Sequence, residues 1–393
     1  MFIANVPPIR YQDPWPVPFE NRLRDLTARE RRVAYYYSAL DNSTFRYRCY
    51  NMVQAISHGS ADTSASYFFR ADEDRLAHVA DLADVIVLAR VQYDLDVERF
   101  VDRARRRNAV VLFDLDDLVF DSKFAPLLMH SLNQSLGWRG PWDYWYAYMG
   151  RIGSTLALCD GAVTTNAFLA AHLKAHSGRN VAVVPNFLNR EQMEVSDRIW
   201  MAKKASKFAR DEHLNLGYFS GSPSHARDFA ILHPVLTDLC DTRADIRVRL
   251  AGYLDPSFTL THHPDRIDVL PFTDFINLQR FIGATELNLA PLQDNIFTNG
   301  KSELKFFEAA LVGTITVASP TAVFREAIEP GRTGFLANEL DWRQQLEAAI
   351  KIIEGDPAER LIFLERARNE VISRYGFQNQ WPAIERALFH RDP

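Results

Sequence analysis

Lys301, Lys305 and Glu308 have the types and spacing to hold a doubly charged leaving group and a pair of hydroxyls. If one helix runs from Ser302 to Val312, they recur at i, i+4 and i+7 and share a face. Two ammonium groups suit a diphosphate, and a carboxylate one turn further on can accept two hydrogen bonds from a ribose. Gly300, just ahead of the helix, lets backbone N–H groups approach an anion that the helix dipole favours. Ser302 stands where a capping hydroxyl or a phosphate contact belongs. The same spacing also describes a solvated lysine–glutamate face.

Other segments carry further candidates. Gly217 to Asp228 joins a strand to a helix through a glycine- and serine-bearing loop, which offers Gly221, Ser222, His225 and Arg227 as phosphate contacts. The acidic run Asp114-Leu-Asp116-Asp117 closes a buried strand, so its carboxylates emerge at the strand's carboxyl end. There Asp116 or Asp117 can orient an acceptor or assist proton transfer. The Asp-x-Asp spacing is also that of a divalent-metal site. Asp114 and Asp116 equally fit the start of a haloacid-dehalogenase-like phosphatase motif, although Leu118 stands where that motif ends in Thr or Val. Asp121 is expected to cap a helix. Ser43, Arg46 and Arg48 follow the first strand at a strand–helix turn, and the guanidinium fork of Arg46 suits an anionic group. The stretch from Trp138 to Tyr148 is unusually aromatic. It reads as an acceptor-side wall or a shallow membrane-facing patch, while core packing remains the ordinary fate of such rings.

These residues must be positioned by short apolar runs that alternate with amphipathic helical stretches, the pattern of parallel sheets wound by helices. Strands are expected at 32–38, 67–70, 84–90, 110–114, 161–164 and 181–184. A polar helical connection is expected over 190–212. The rhythm restarts with strands at 214–219, 246–251, 267–270, 286–290 and 314–318, and residues 341–388 are nearly all helix. Two doubly wound units imply two sheets facing across a cleft, with ligands at the carboxyl ends of the strands.

At 393 residues the chain suits two α/β domains rather than one core. A formal net charge of −5 argues against whole-molecule affinity for nucleic acid or anionic membrane. Cys49, Cys159 and Cys240 lie far apart with no C-x-x-C spacing, so neither a zinc site nor a disulfide framework is indicated. No run of ~18 apolar residues occurs, and no secretory leader is expected. The Pro-rich aromatic arm Pro7 to Phe19 is expected to lie across the surface.

In this order the motifs resemble glycosyltransferase family 4. Gly313-Thr-Ile-Thr-Val-Ala-Ser319 is similar to that family's G-T-P-V-V-A-S strand. The stretch from Phe324 to Leu336 resembles its following E-x-I-x-x-G-x-T-G-x-L turn. Val183-Val-Pro-Asn186 resembles the V-I-P-N that closes the first domain, and Cys159 to Thr165 is similar to A-D-x-V-x-T-x-S. One departure stands out. The second acid of the family's Glu-x7-Glu pair maps to Glu308, but no Glu occupies the first position and Lys301 stands beside it, as in a Lys-Ser-x-x-Lys-x-x-Glu branch. Glu303 is a substitute turned away from that face.

The resemblance implies an α/β GT-B fold of two Rossmann-like domains. Residues 1–190 would form the acceptor-side domain, joined by a last helix at about 374–393, and residues 191–373 the donor domain. It implies retaining transfer from a nucleotide diphosphate sugar to a glycan or lipid-linked acceptor, in polysaccharide or glycoconjugate synthesis, with no cofactor or metal required. Lys305, Glu308, Asp116 and Asp117 would be catalytic. Gly221, Ser222, His225, Arg227, Gly300, Lys301 and Ser302 would complete the donor site, and Ser43, Arg46 and Asp117 would face the acceptor. A cytoplasmic location is expected, with peripheral contact at the inner face of the membrane left open. A non-catalytic sugar-nucleotide binder is the alternative from another class.

Overall fold

The computed structural model describes residues 1–3, 6–221, 226–252 and 263–390. Among these described residues twelve strands form two six-stranded sheets. The first contains β1 (Arg31–Tyr37), β2 (Thr63–Phe69), β3 (Val85–Ala89), β4 (Val110–Leu115), β5 (Gly161–Thr164) and β6 (Val181–Val183), in spatial order β2-β1-β3-β4-β5-β6. The second contains β7 (Leu214–Ser220), β8 (Ile246–Gly252), β9 (Ile267–Leu270), β10 (Leu287–Ala290), β11 (Ile315–Ala318) and β12 (Phe335–Leu336), in order β12-β11-β10-β7-β8-β9. Every pairing is parallel. Parallel strands need helical crossovers and are covered on both faces, which is why β3, β7, β10 and β11 read as unbroken buried runs. The strand order reverses between β1 and β3 in one sheet and between β7 and β10 in the other, and open α/β sheets hold their ligands at such points.

The halves share an apolar core. Phe187, Phe219, Phe275, Phe307 and Tyr375 belong to one continuous buried cluster that draws on both sheets. The expected connection over 190–212 is a shorter helix, Arg190–Ala205, capped by the Asn189 side chain. It carries Lys203, fully buried, whose Nζ donates to the carbonyls of Val312 and Gly313 at 2.7 Å each. Burial lowers the pKa of this ammonium. Its position still suits a cation, because those carbonyls end the helix Leu304–Leu311, where the dipole is negative. Gly313 closes the same helix at φ +66° with the Trp200 ring against it, so a side chain there would meet both strain and a clash.

The Pro-rich arm lies across the surface as expected, with Pro7, Pro8, Pro14, Pro16 and Pro18 exposed, but it is anchored there by specific contacts. Ile9 and Asn277 exchange two 2.9 Å hydrogen bonds, Arg280 donates to Val6 O, and Trp15 is buried against Phe45, Tyr50 and Phe275. The arm therefore straps the helix Phe275–Ala284 of the second half to the first, because burying an indole outweighs leaving it in water. The helix expected from Ser302 starts two residues later, at Leu304, and a separate turn of helix, Ile296–Asn299, precedes it. Asn295 and Thr298 form a reciprocal capping box that starts that turn, and Gly300 caps its end.

At the other end, the helix Pro357–Tyr375 packs on Leu304–Leu311, and the last helix, Trp381–Phe389, crosses back onto Asn51–Gly59 of the first half. Arg31 pairs with Glu385 at 2.9 Å and lies over the Phe389 ring, fastening that return.

Candidate active site

Two adjoining cavities, of about 490 and 450 Å³, open between the sheets at their strand carboxyl ends. Ser43, Gly221, Leu304 and Lys305 border both, so a ligand can occupy the two spaces continuously.

The larger cavity lies on the second sheet. Its floor is the first turn of Leu304–Leu311, which follows β10. Lys305 Nζ donates to Phe219 O at 2.7 Å and sits 4.4 Å from the Tyr218 ring centroid, directly below the end of β7. Burial, with Lys301 nearby, pushes its pKa down to about 8, against the pull of Asp228 and Glu308. A cation held this way gains from an incoming anion. Gly221 faces open space where a Cβ would project, leaving the backbone free for close approach.

Glu308 lies one turn beyond Lys305 and is largely buried. Tyr47 OH donates to its Oε1 at 2.8 Å and Gln192 Nε2 donates to the same oxygen at 3.0 Å, with Arg46 at 3.8 Å. All three partners come from outside the second sheet. They fix the carboxylate by one oxygen, and among the described residues no hydrogen bond engages Oε2. Tyr47 and Arg46 belong to a five-residue π-helical turn, Arg46–Tyr50. Such turns concentrate at functional sites because the extra residue re-aims side chains. Arg46 stacks between the Tyr47 and Phe275 rings, at 4.2 and 4.1 Å, and its Nη1 is buried without a hydrogen-bond partner.

The smaller cavity lies on the first sheet. Asp116 accepts from Thr44 Oγ1 at 2.9 Å and from Arg90 Nη1 at 3.4 Å, while Arg90 Nη2 lies 3.9 Å from Asp117. Arg90 ends β3 in the left-handed region, at φ +49°, a conformation that costs a non-glycine residue about 1–3 kcal/mol. Its Nε donates to Tyr148 OH at 2.9 Å, so the strained backbone aims a guanidinium at three partners. Burial and Asp116 raise the Asp117 pKa against Lys301 and Arg90, leaving a carboxylate of increased basicity in the cleft.

The comparisons can be placed on this geometry. Residues 230–386 match a family model described as glycosyl transferase-like. No curated protein matches the chain. Among solved structures, Anabaena HepE in complex with UDP and glucose shares 14% identity, covers 89% of this chain and 98% of its own, and aligns with a TM-score of 0.55. WaaG, a glycosyltransferase involved in lipopolysaccharide biosynthesis, aligns at 0.57 with 12% identity over 90% and 99% of the two chains. A glycosyltransferase from Rickettsia africae aligns at 0.56 with 13% identity over 91% and 99%.

The fold is GT-B.

Within this GT-B frame most of the expected residues converge. Lys305, Glu308, Gly221, Asp116, Asp117, Ser43, Arg46, Lys301 and Ser302 all line one or both cavities. Several arrive differently than expected. Lys301 precedes the helix, so it does not share a face with Lys305 and Glu308; it borders the smaller cavity with Asp117. Ser302 caps nothing, its Oγ lying 3.4 Å from Glu303. Gly300 has an ordinary right-handed φ of −82°, and its carbonyl accepts from Asn166 across the cleft, so it is a domain contact and lines neither cavity. Arg227 turns away to Asn133 and His130 of the first half, at 2.9 and 2.7 Å. Arg46, expected on the acceptor side, lines the larger cavity beside Glu308. Glu303 is buried and does not replace the missing acid. Ser222 and His225 lie outside the described residues.

Asp114 is also corrected. Arg48 grips both of its oxygens at 2.7 Å, and both side chains are fully buried. A carboxylate so engaged is not a free phosphatase nucleophile, and Arg48 is a structural residue rather than a cleft one. Asp121 does cap a turn, accepting from Lys123 N. Among the described residues no group of three or more His, Cys, Asp or Glu is arranged to hold a metal ion, and no helix is long and apolar enough to cross a membrane.

Sequence reasoning missed Arg90, Thr44, Tyr47 and Gln192. Arg90 carried a usable signal, a lone cation ending an apolar strand. Tyr47 and Gln192 carried none, because they meet Glu308 across 261 and 116 residues.

Proposed function

We propose that this protein transfers a glycosyl group from a nucleoside diphosphate sugar to a glycan or lipid-linked acceptor hydroxyl. One observation carries the reading: Lys305 and Glu308 of one sheet face the same continuous cleft as Asp116 and Asp117 of the other. In this reading residues 1–190, with the returning last helix, hold the acceptor, and residues 191–373 hold the donor. Lys305 and the start of its helix stabilise charge that accumulates on the leaving diphosphate. Glu308 accepts from the ribose through its unengaged oxygen. Asp117, oriented by Arg90, receives or directs the acceptor's proton. Retention at the anomeric carbon and independence from a divalent metal belong to the same proposal. The family-model match and the UDP-bound state of HepE support it.

The test is a thermal-shift panel of uridine, guanosine, adenosine, cytidine and thymidine diphosphates. At least one is expected to raise Tm, since a ligand bound only by the native state stabilises it by mass action. No shift with any of them would refute the donor assignment. The missing first acid favours a second reading, a sugar-nucleotide binder without turnover. It predicts the same shift but no transfer from the cognate sugar nucleotide to any acceptor.

Tyr47 acts on this site through Glu308. Tyr47→Phe removes one of two hydrogen bonds to Oε1 and frees the carboxylate to turn. Bonds to charged groups contribute about 1.5–3 kcal/mol, so the nucleotide Kd is expected to rise roughly tenfold with a small change in Tm. An unchanged Kd by calorimetry would show that Glu308 is held without Tyr47, or does not touch the donor.

A further inference from the structure

The helix Arg139–Leu158 presents aromatic rings that the reaction described above does not use. Trp138, Tyr144 and Tyr146 are exposed, and Tyr144 stacks on Tyr148 at 6.0 Å while Trp142 stacks on Tyr146 at 6.1 Å. Trp142 and Trp145 lie three residues apart on one face, and Trp138 precedes the helix in extended backbone as its N-cap. Trp145 lines the smaller cavity with Asp116 and Asp117, and Tyr148 holds Arg90. The aromatic surface is therefore continuous with the cleft.

Two facts about this surface decide what it fits. The indole N–H groups are already engaged: Trp142 donates to Leu136 O at 3.1 Å and Trp145 to Gln134 Oε1 at 2.6 Å. These bonds pin the indoles by their edges, with Trp142 stacked on Tyr146 and Trp145 edge-on to Tyr144 and Tyr148, so the exposed ring surface is chiefly that of Trp138, Tyr144 and Tyr146. A membrane-interface indole instead uses its N–H toward the wet headgroup layer. The helix also carries no cationic cluster: Arg139 pairs with Asp143 one turn on, and Arg151 is its one other charged side chain. Anionic lipid recognition depends on clustered lysine and arginine. Fixed ring faces bordered by phenol hydroxyls instead match the alternating C–H faces and hydroxyl edges of a sugar chain.

Resting on the glycosyltransferase reading, we propose that the acceptor is an oligosaccharide of several units, and that its sugars beyond the reacting one stack along the aromatic face of Arg139–Leu158. A cavity of about 450 Å³ holds only the first units of such a chain, and the rest must leave past Trp145 and its neighbours. Acceptor preference is then set by chain length as well as by the terminal sugar.

The experiment measures binding of the full chain, saturated with its preferred nucleoside diphosphate, to an array of linear glycans of one to six units. The array covers glucose, galactose, mannose, fucose, N-acetylhexosamine and uronic acid series. At least one series is expected to bind at least tenfold tighter at four to six units than at one or two. Trp138→Ala combined with Tyr144→Ala is expected to abolish that gain while leaving nucleotide binding and Tm unchanged. Absence of glycan binding, length-independent binding, or a length gain that survives the double substitution would overturn the proposal. So would retention of the wild type, but not the variant, on phosphatidylglycerol vesicles, which would assign the face to a membrane. A change from dimer to monomer in the variant would assign it to a second copy. Nucleotide binding, read separately, reports whether the donor assignment has failed instead.

Discussion

Replacing Lys305 by methionine is expected to lower glycosyl transfer at least a hundredfold while leaving the fold intact. Preorganised charge stabilisation of a developing anion is worth about 2.7–4 kcal/mol per donor, and Lys305 supplies a cation that borders both cavities at the start of its helix. Methionine keeps the length of the stem and its packing on Tyr218 but removes the ammonium. Stability should not fall, because a buried cation costs desolvation that methionine avoids.

The same residue fixes a pH dependence. Its folded pKa of about 8 lies below the usual lysine value. Between those two values the unfolded chain binds a proton that the ligand-free native state does not. Stability from this group therefore rises with pH across that window, and the penalty is fully present below about 8. A bound diphosphate reverses the preference by favouring the charged form. Nucleotide affinity is accordingly expected to be full below pH 8 and to fall above it by up to tenfold per unit. Lys305→Met should bind weakly with no such inflection. Calorimetric titrations from pH 6.5 to 9.5 check both curves, and a wild-type curve as flat as the variant's would remove Lys305 from the phosphate site.

Asp114→Ala is expected to cost about 3–5 kcal/mol of stability, enough to unfold much of the protein at growth temperature. It leaves the guanidinium of Arg48 buried beside the Val184 and Asn186 acceptors with its counter-charge gone. A buried pair is worth less than the damage done by breaking it. Asp114→Leu combined with Arg48→Met should therefore be more stable than either single change. Denaturant unfolding of the three variants decides the matter. A single substitution that left the midpoint unmoved would contradict a structural role and return Asp114 to consideration as a reacting group.

The contrast between Asp114 and Asp117 shows where sequence reading stopped. Both belong to one acidic run at one strand end, and their types and spacing are equivalent. Asp114 still lies within β4, opposite Arg48 of a helix that packs beneath the sheet, so it is consumed by the core. Asp117 has passed the strand end and enters the cleft. Three residues of chain separate a structural ion pair from a candidate catalytic group, and only the packing of another segment distinguishes them. The helix start at Leu304 teaches the same lesson: Lys301 reaches the cleft, but from the bend between two helices and toward Asp117.

What the sequence determined by itself was the alternation of eleven of the twelve strands with helices. It also determined the two-sheet architecture. These follow from local periodicity and turn chemistry, which act over a few residues and are written directly in the chain. The twelfth strand, Phe335–Leu336, was too short to show a period. Tertiary structure alone decided which charges are free. It bound Glu308 to Tyr47 and Gln192, turned Arg227 toward His130, drew Trp15 into the junction of the halves and set Arg90 against Asp116. Those partners meet across tens to hundreds of residues, where the competition between burial and hydrogen bonding is settled by the packing of whole sheets rather than by any local pattern.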